Sequence, residues 1–279
     1  MDSVLRVATS GMRDTPFDYL QHLVTVPVRL NGKERRFVLD SGIGLNLVRD
    51  TVEGVAAIGR SFTGRRMSGQ EVTSPLGIAS SLEFGGIAQE EVEVGLIDLS
   101  GFPPQLAEID GFLSLAFFTD LPFTVDYAER TIRAGSDGDD GLVIAIEVER
   151  DGPSVDVFMP LTIPGGRSIL VEVDMGSDCL ILDERFAAEV GVDIDSDAVR
   201  RVEGVDETGN AYLRSFTRLE GTIHPTDAPT LMMRGPEVMF QRIIHDGLIG
   251  DAFLRNFVVT WDIAASQIVL ASHGPGEHQ

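Results

Sequence analysis

The chain has 279 residues, of which 43% are hydrophobic and 24% charged, so it is a globular protein long enough for two hydrophobic cores. Its 44 acidic and 22 basic residues give a net charge of −22, which opposes binding to nucleic acids and to anionic membrane surfaces. Cys179 is the single cysteine, which excludes an internal disulfide framework and favours a reducing compartment. Residues 1–20 contain no apolar run typical of a signal peptide or membrane anchor. We therefore expect a cytoplasmic protein, provided that no leader or anchor precedes this sequence.

Short runs of alternating apolar residues, separated by glycine and proline, predict an all-β fold with a few short helices. Apolar residues alternate over 24–30, Asn31 and Gly32 supply a tight turn, and residues 36–39 return as a second strand. This predicted hairpin ends in Asp-Ser-Gly at residues 40–42. Short helices are predicted at four places: Leu47 to Ile58, Asp183 to Val190, and the apolar clusters around Phe117 and Phe253.

The second half of the chain repeats this pattern. Alternating apolar residues over 155–163, a turn at 164–166 and a strand over 169–173 lead to Asp-Met-Gly at residues 174–176. The segment 109–118 likewise matches 245–254. The offset is 134 between Asp40 and Asp174, and 136 between Gly111 and Gly247. We therefore predict one β unit that is used twice.

The two Asp-x-Gly turns and the later matching segments resemble the aspartic peptidase superfamily, specifically retropepsin-like lobes joined in one pepsin-style chain. The resemblance covers residues 21–134 and 142–271. In that family an Asp-Thr/Ser-Gly turn ends a strand in each lobe, and an apolar-apolar-Gly segment is threaded beside it. Gly250 keeps the threaded glycine of the second half, whereas Ser114 replaces it in the first. The resemblance implies two homologous β-barrel-like lobes of the acid protease fold, with an active-site cleft between them.

The resemblance also gives an expected organisation along the chain. An acidic, glycine-bearing stretch at mid-chain is typical of a surface linker. Because both lobes lie in one chain, we expect a monomer. The expected parts are an N-terminal extension (1–20), an N-terminal aspartic-peptidase-like lobe (21–135), the linker (136–141), a C-terminal lobe (142–272) and a tail (273–279).

The resemblance implies that Asp40 and Asp174 are the catalytic pair. As is established for aspartic peptidases, two carboxylates about 3 Å apart cannot both ionise, so the pair supplies both an acid and a base. We expect Asp174 to carry the charge, because the Ser177 hydroxyl can donate to it whereas Ile43 offers nothing to Asp40. The alternative for each site taken singly is a plain Asp-Gly turn. The expected dyad-supporting residues are Ser41, Gly42, Met175, Gly176 and Ser177.

Two departures from the family leave two functions open. The family's Thr or Ser hydroxyl bonds the backbone of the opposite turn, which Ser41 can do and Met175 cannot. Ser114 adds a side chain where a backbone passes close. The leading interpretation is an aspartic endopeptidase that acts on peptide or protein substrates without metal or organic cofactor. The alternative is a catalytically weak pseudopeptidase whose cleft binds peptides or protein partners.

A glycine-flanked segment lies between each Asp turn and its later matching segment. Such segments predict flap-like loops that close over an extended peptide, although an ordinary hairpin turn explains the second equally well. Arg65 and Arg66 at the first tip predict a modest preference for acidic substrate side chains. The candidate residues are Gly64, Arg65, Arg66, Met67 and Gly69 in the first loop, and Gly204 and Gly209 in the second.

The remaining reactive residue types indicate no further site. The histidines lack the spacing of metal ligands. Cys179 begins an apolar strand and is interpreted as a structural thiol. The five histidines are His22, His224, His245, His273 and His278.

Overall fold

The structure is a computed structural model that describes residues 14–135, 141–206 and 209–273. It is mostly β, which confirms the predicted class. All of the expected linker (136–141) except Gly141 lies outside the described residues, as do residues 1–13 and 274–279. The strands of the first half are β1 Thr15–Pro16, β2 Asp18–Leu20, β3 Leu23–Leu30, β4 Lys33–Leu39, β5 Leu47–Arg49, β6 Ala57–Arg65, β7 Glu71–Phe84, β8 Ile87–Ile97, β9 Gly111–Leu113, β10 Phe123–Asp126 and β11 Thr131–Ala134.

The second half is built in the same way from strands and turns, and its described residues include one short α-helix, α1 Asp251–Leu254. Its strands are β12 Leu142–Ala145, β13 Glu147–Asp151, β14 Ser154–Thr162, β15 Ser168–Val173, β16 Leu180–Asp183, β17 Arg200–Val205, β18 Ala211–Arg218, β19 Thr222–Pro225, β20 Met233–Arg234, β21 Glu237–Gln241, β22 Gly247–Ile249, β23 Phe257–Asp262 and β24 Gln267–Ser272.

Four strands have the same arrangement in both halves. In the eight-stranded sheet, β9 lies between β4, to which it is parallel, and β5, to which it is antiparallel, and β5 is parallel to β8. In the ten-stranded sheet, β22 lies in the same way between β15 and β16, and β16 is parallel to β21. The internal repeat found in the sequence therefore corresponds to a repeated strand topology.

A third sheet contains strands from both halves of the chain. Its six strands have the order β1-β11-β10-β23-β24-β12. At its centre Thr124 lies opposite Thr260, and their hydroxyl groups are 2.8 Å apart. Beside them the rings of Phe123 and Trp261 stack with centroids 6.0 Å apart. Because this sheet joins the halves, the division of the chain into two separate lobes stays a prediction.

The predicted hairpin at the start of the first half is present. Strands β3 and β4 pair across Asn31 and Gly32, whose φ angles of 51° and 74° both lie in the left-handed region. Residues 15–20, which we assigned to the N-terminal extension, form β1 and β2 and pair with β11 and β3.

The prediction of a helix over Leu47 to Ile58 is wrong. Residues 47–49 form β5, which pairs with β8 on one side and β9 on the other, and Gly54 breaks the following segment with a φ of 90°. Pairing on both sides supplies more buried contacts than an isolated helical turn. Of residues 183–190, only Glu184–Phe186 form a 3-10 helix. The other two predicted sites are a 3-10 helix at Leu115–Phe118 and α1. Among the described residues, no helix is long and apolar enough to cross a membrane.

Candidate active site

Each predicted Asp turn follows the end of a central strand at the same position in the repeated topology. Strand β4 ends at Leu39, and the Asp40 N–H donates to the Leu113 carbonyl on β9 over 3.0 Å. Strand β15 ends at Val173, and the Asp174 N–H donates to the Ile249 carbonyl on β22 over 3.0 Å. The neighbouring parallel strand therefore fixes where each aspartate leaves its sheet.

The glycines of the two turns bring the aspartates face to face. The Gly42 N–H donates to Asp40 Oδ1 over 2.9 Å, and the Gly176 N–H donates to Asp174 Oδ1 over 2.8 Å. A Cβ atom on Gly42 would lie 2.5 Å from Asp174 Cγ, and one on Gly176 would lie 2.6 Å from Asp40 Oδ2. Each glycine therefore makes room for the carboxyl group of the opposite turn.

The two half-buried carboxyl groups face each other closely enough to influence each other's ionisation. Burial raises the pKa of Asp40 well above its usual value, and the charge of Asp174 raises it further. Burial also raises the pKa of Asp174, but the Gly176 N–H, the Asp40 side chain and the charge of His22 oppose this rise. These influences favour Asp40 as the protonated member of the pair.

No protein-family model matches this chain, and no curated protein matches it either. The geometry of the two turns is thus the basis for any assignment of function.

The Ser41 side chain bonds the backbone of the second turn, whereas the Met175 side chain forms no such bond to the first turn. The buried Ser41 hydroxyl donates to the Val173 carbonyl over 2.7 Å and accepts from the Met175 N–H over 2.8 Å. The Met175 side chain is 1% exposed and packs in the main hydrophobic core. Half of the family's reciprocal hydroxyl bonding is therefore present, and a core contact replaces the other half.

We expect Ser41→Ala to destabilise the protein by about 2 kcal/mol, because it leaves a buried carbonyl and a buried N–H without this partner. Ser177→Ala is the matched control, since it removes the serine hydroxyl of the other turn. Urea denaturation of both variants measures the difference. An equal effect in the two variants would contradict the bridging role of Ser41.

Ser177 does not act on Asp174 in the way that we expected. Its hydroxyl donates to the Cys179 carbonyl over 3.4 Å, and its backbone N–H donates to the Asp174 main-chain carbonyl over 3.2 Å and lowers the pKa of the Asp174 carboxyl group. Burial raises the pKa of the Cys179 thiol to about 11, so this group stays protonated at neutral pH.

Asn46 explains how the first half accommodates Ser114. The Asn46 side-chain oxygen accepts from the Ser114 N–H over 3.0 Å, and the Ser114 hydroxyl accepts from the Ala116 N–H over 3.2 Å. In the second half a Cβ atom on Gly250 would overlap the Ser177 carbonyl, so glycine is required there. The first half can therefore hold serine at this position because the Asn46 side chain lies against it, whereas the second half needs glycine because the Ser177 carbonyl does.

The first predicted flap is the tip of the β6–β7 hairpin. The Arg66 N–H donates to the Gln70 carbonyl over 2.9 Å, and Gly69 adopts a φ of 84°. The tip reaches the second half, where the Ile244 N–H donates to the Met67 carbonyl over 2.8 Å. The Met67 side chain packs with a small apolar cluster formed by Ile181, Met239, Ile243, Leu248, Cys179 and Phe216.

The second predicted flap is the tip of the β17–β18 hairpin, of which residues 207–208 lie outside the described residues. The Asp206 N–H donates to the Asn210 carbonyl over 2.9 Å, and Gly209 adopts a φ of 86°. Gly204 lies within β17, against the ring of Tyr212. The two tips meet where the Asn210 side-chain amide donates to Gln70.

The positive charge expected at the first tip is partly compensated. Arg65 forms an ion pair with Glu71 over 3.2 Å, and both side chains are exposed. Arg65 therefore gives little support to a preference for acidic substrate residues.

Glu172 is a buried carboxyl group beside the pair that the sequence analysis missed. It lies two residues before Asp174, on the same face of the chain, and is 7% exposed. Burial raises its pKa well above its usual value, and the charges of Asp174 and Asp156 raise it further. His245 Nε2 lies 3.8 Å from Glu172 Oε2. A charged residue within the apolar run 169–173 was the signal that could have identified it.

Across residues 14–135, 141–206 and 209–273, no group of three or more His, Cys, Asp or Glu side chains is arranged to hold a metal ion.

Proposed function

We propose that this chain is an aspartic endopeptidase, built from two homologous β lobes of the acid protease fold around one carboxyl pair. The observation that carries the proposal is that Asp40 and Asp174 lie face to face, each at the same position in one of two copies of one strand topology. Two unrelated turns have no reason to place glycine against the opposing carboxyl group in both directions.

In the proposed reaction a water molecule is held between the two carboxyl groups. Asp174 takes a proton from this water, and the protonated Asp40 donates a hydrogen bond to the oxygen of the scissile carbonyl. The hydroxide oxygen forms a bond to the carbonyl carbon. The proton held by the pair then passes to the leaving nitrogen as the C–N bond breaks, so no metal or cofactor enters the scheme.

The test is hydrolysis of a denatured protein substrate by the purified chain between pH 3 and pH 8. We expect cleavage in the acidic range and its loss as the pH rises through the raised pKa of Asp40, because the acid of the pair is then lost. A statine-type inhibitor, whose hydroxyl replaces the attacking water, should bind far more tightly than a substrate peptide.

A metal chelator is the control and should leave the rate unchanged. Peptide binding without cleavage at any pH would favour the pseudopeptidase alternative, and neither binding nor cleavage would reject both functions.

A further inference from the structure

His22 contacts the second Asp turn from the opposite half of the chain. Leu20 pairs with Leu23 across the tight turn between β2 and β3, and Gln21 in this turn has a φ of 61°. The half-buried His22 side chain places Nε2 3.0 Å from the Gly176 carbonyl oxygen. A carbonyl oxygen accepts hydrogen bonds but cannot donate them, so Nε2 carries the proton.

The peptide unit that His22 contacts also belongs to the turn that holds Asp174. Its carbonyl belongs to Gly176 and its N–H to Ser177, which donates to the Asp174 main-chain carbonyl over 3.2 Å and also lowers the pKa of the Asp174 carboxyl group. The peptide unit is planar and trans, so its C=O and N–H point in opposite directions. Fixing the carbonyl with an imidazole therefore fixes the direction of the N–H.

The contact occurs at the turn that lacks a bonding side chain of its own. The Ser41 side chain bonds the second turn, whereas the Met175 side chain forms no hydrogen bond to the first. Beside the first turn the other half makes a backbone contact instead, because the Val155 N–H donates to the carbonyl of Gly44, two residues after Gly42, over 3.1 Å.

We infer that His22 is a positioning residue for the dyad, which orients the peptide unit between Gly176 and Ser177 and thereby keeps Asp174 as the ionised member. Its effect on hydrolysis rests on the proposed function. Its effect on the carboxyl pair does not, because the titration of the pair is measurable in an inactive protein.

The experiment compares three variants with the wild-type chain. His22→Leu removes the donor, His22→Gln keeps an amide N–H at a similar distance along the side chain, and His273→Gln is the matched control. His273 bonds the Arg255 carbonyl over 3.1 Å, so its replacement alters a similar bond that does not involve an Asp turn. Carbon-13 NMR titration of the aspartate carboxyl groups and steady-state peptide hydrolysis are measured for each.

We expect His22→Leu to raise the lower apparent pKa of the pair and to lower kcat about tenfold, with KM changed less than about twofold. His22→Gln should keep kcat within about threefold of the wild-type value, and His273→Gln should match the wild type. If His22→Leu does not fold, His22→Asn replaces it, because its amide is too short to reach the carbonyl.

An unchanged titration of the pair in His22→Leu overturns the inference, even if the wild type is an active peptidase. Equal loss in His22→Gln and His22→Leu also overturns it, because the N–H donor would then not be what matters. A wild-type chain that hydrolyses no peptide defeats the proposed function, and the titration alone then decides the role of His22.

Discussion

Asp40→Asn is expected to abolish peptide hydrolysis and, at pH 7, to make the folded protein more stable. Hydrolysis should fall about 10⁴-fold, because the asparagine amide cannot supply the proton that the mechanism requires. Asp174→Asn should lose as much activity, since it removes the base. Loss of function with a gain of stability is the expected signature of a buried carboxyl group that is retained for chemistry.

The sign of the stability change follows from the raised pKa of Asp40 in the folded protein. A raised pKa means that the folded state binds the proton more tightly than the unfolded state does. The stability that this supplies is complete below the pKa of the unfolded state and is lost as the pH rises through the folded pKa. At pH 7 the wild-type protein has lost this stability relative to low pH, whereas Asp40→Asn has no titrating group at position 40 and loses none.

Thermal unfolding at several pH values measures this change in stability. Each kcal/mol added to the free energy of unfolding raises Tm by about 2–4 °C. The Tm of Asp40→Asn should exceed that of the wild type at pH 7, and the difference should disappear at pH 3. The control is Asp227→Asn, which changes an exposed aspartate. A Tm difference that is the same at both pH values would contradict the assignment of the raised pKa to Asp40.

Gly42→Ala is expected to destabilise the protein by about 1–3 kcal/mol and to reduce hydrolysis strongly, because the new methyl group overlaps Asp174. The turns would have to separate, and the two carboxyl groups would move apart. The control is Gly64→Ala, where the nearest atom is an edge carbon of the Phe62 ring, 3.2 Å away, which a small side-chain rotation can move.

A double-mutant cycle makes this prediction specific to the facing turns. In an Asp174→Ala background the Cγ atom that Gly42→Ala would meet is absent, so the cost of Gly42→Ala should largely vanish. The same cycle applies to Gly176→Ala in an Asp40→Ala background. Equal costs in both backgrounds would show that the two turns do not lie against each other.

Much of the strand arrangement is encoded in local pattern and repetition. Period-two alternation, Asn31-Gly32 and the matched spacing of Asp40 and Asp174 predict the first hairpin and the repeated unit. The segment 47–49 lacks the period-two pattern of a strand, because its apolar residues are buried between two neighbouring strands. Pairing between distant strands decides its conformation, and no local signal reports it.

The parts of the candidate site that sequence reasoning missed are contacts between residues far apart in the chain. His22 and Gly176 are 154 positions apart, and Asn46 and Ser114 are 68 positions apart. A lone histidine and a lone asparagine carry no pattern that identifies these partners. The Ser177 hydroxyl was expected to lower the pKa of Asp174, but it bonds the Cys179 carbonyl, and the groups that lower this pKa include His22 from the other half of the chain.

The six-stranded sheet has a consequence for how the chain reaches its folded state. Strand β10 pairs with β23, which lies more than 130 residues later in the chain, and β12 pairs with the similarly distant β24. Neither pair can form until the later strand has been synthesised and brought close. Such distant pairings make folding slow, because a long loop must close before they contribute any stability. A first half synthesised alone would expose the open edge of β10, and unpaired edges recruit other strands. We therefore expect the separated halves to aggregate when expressed singly.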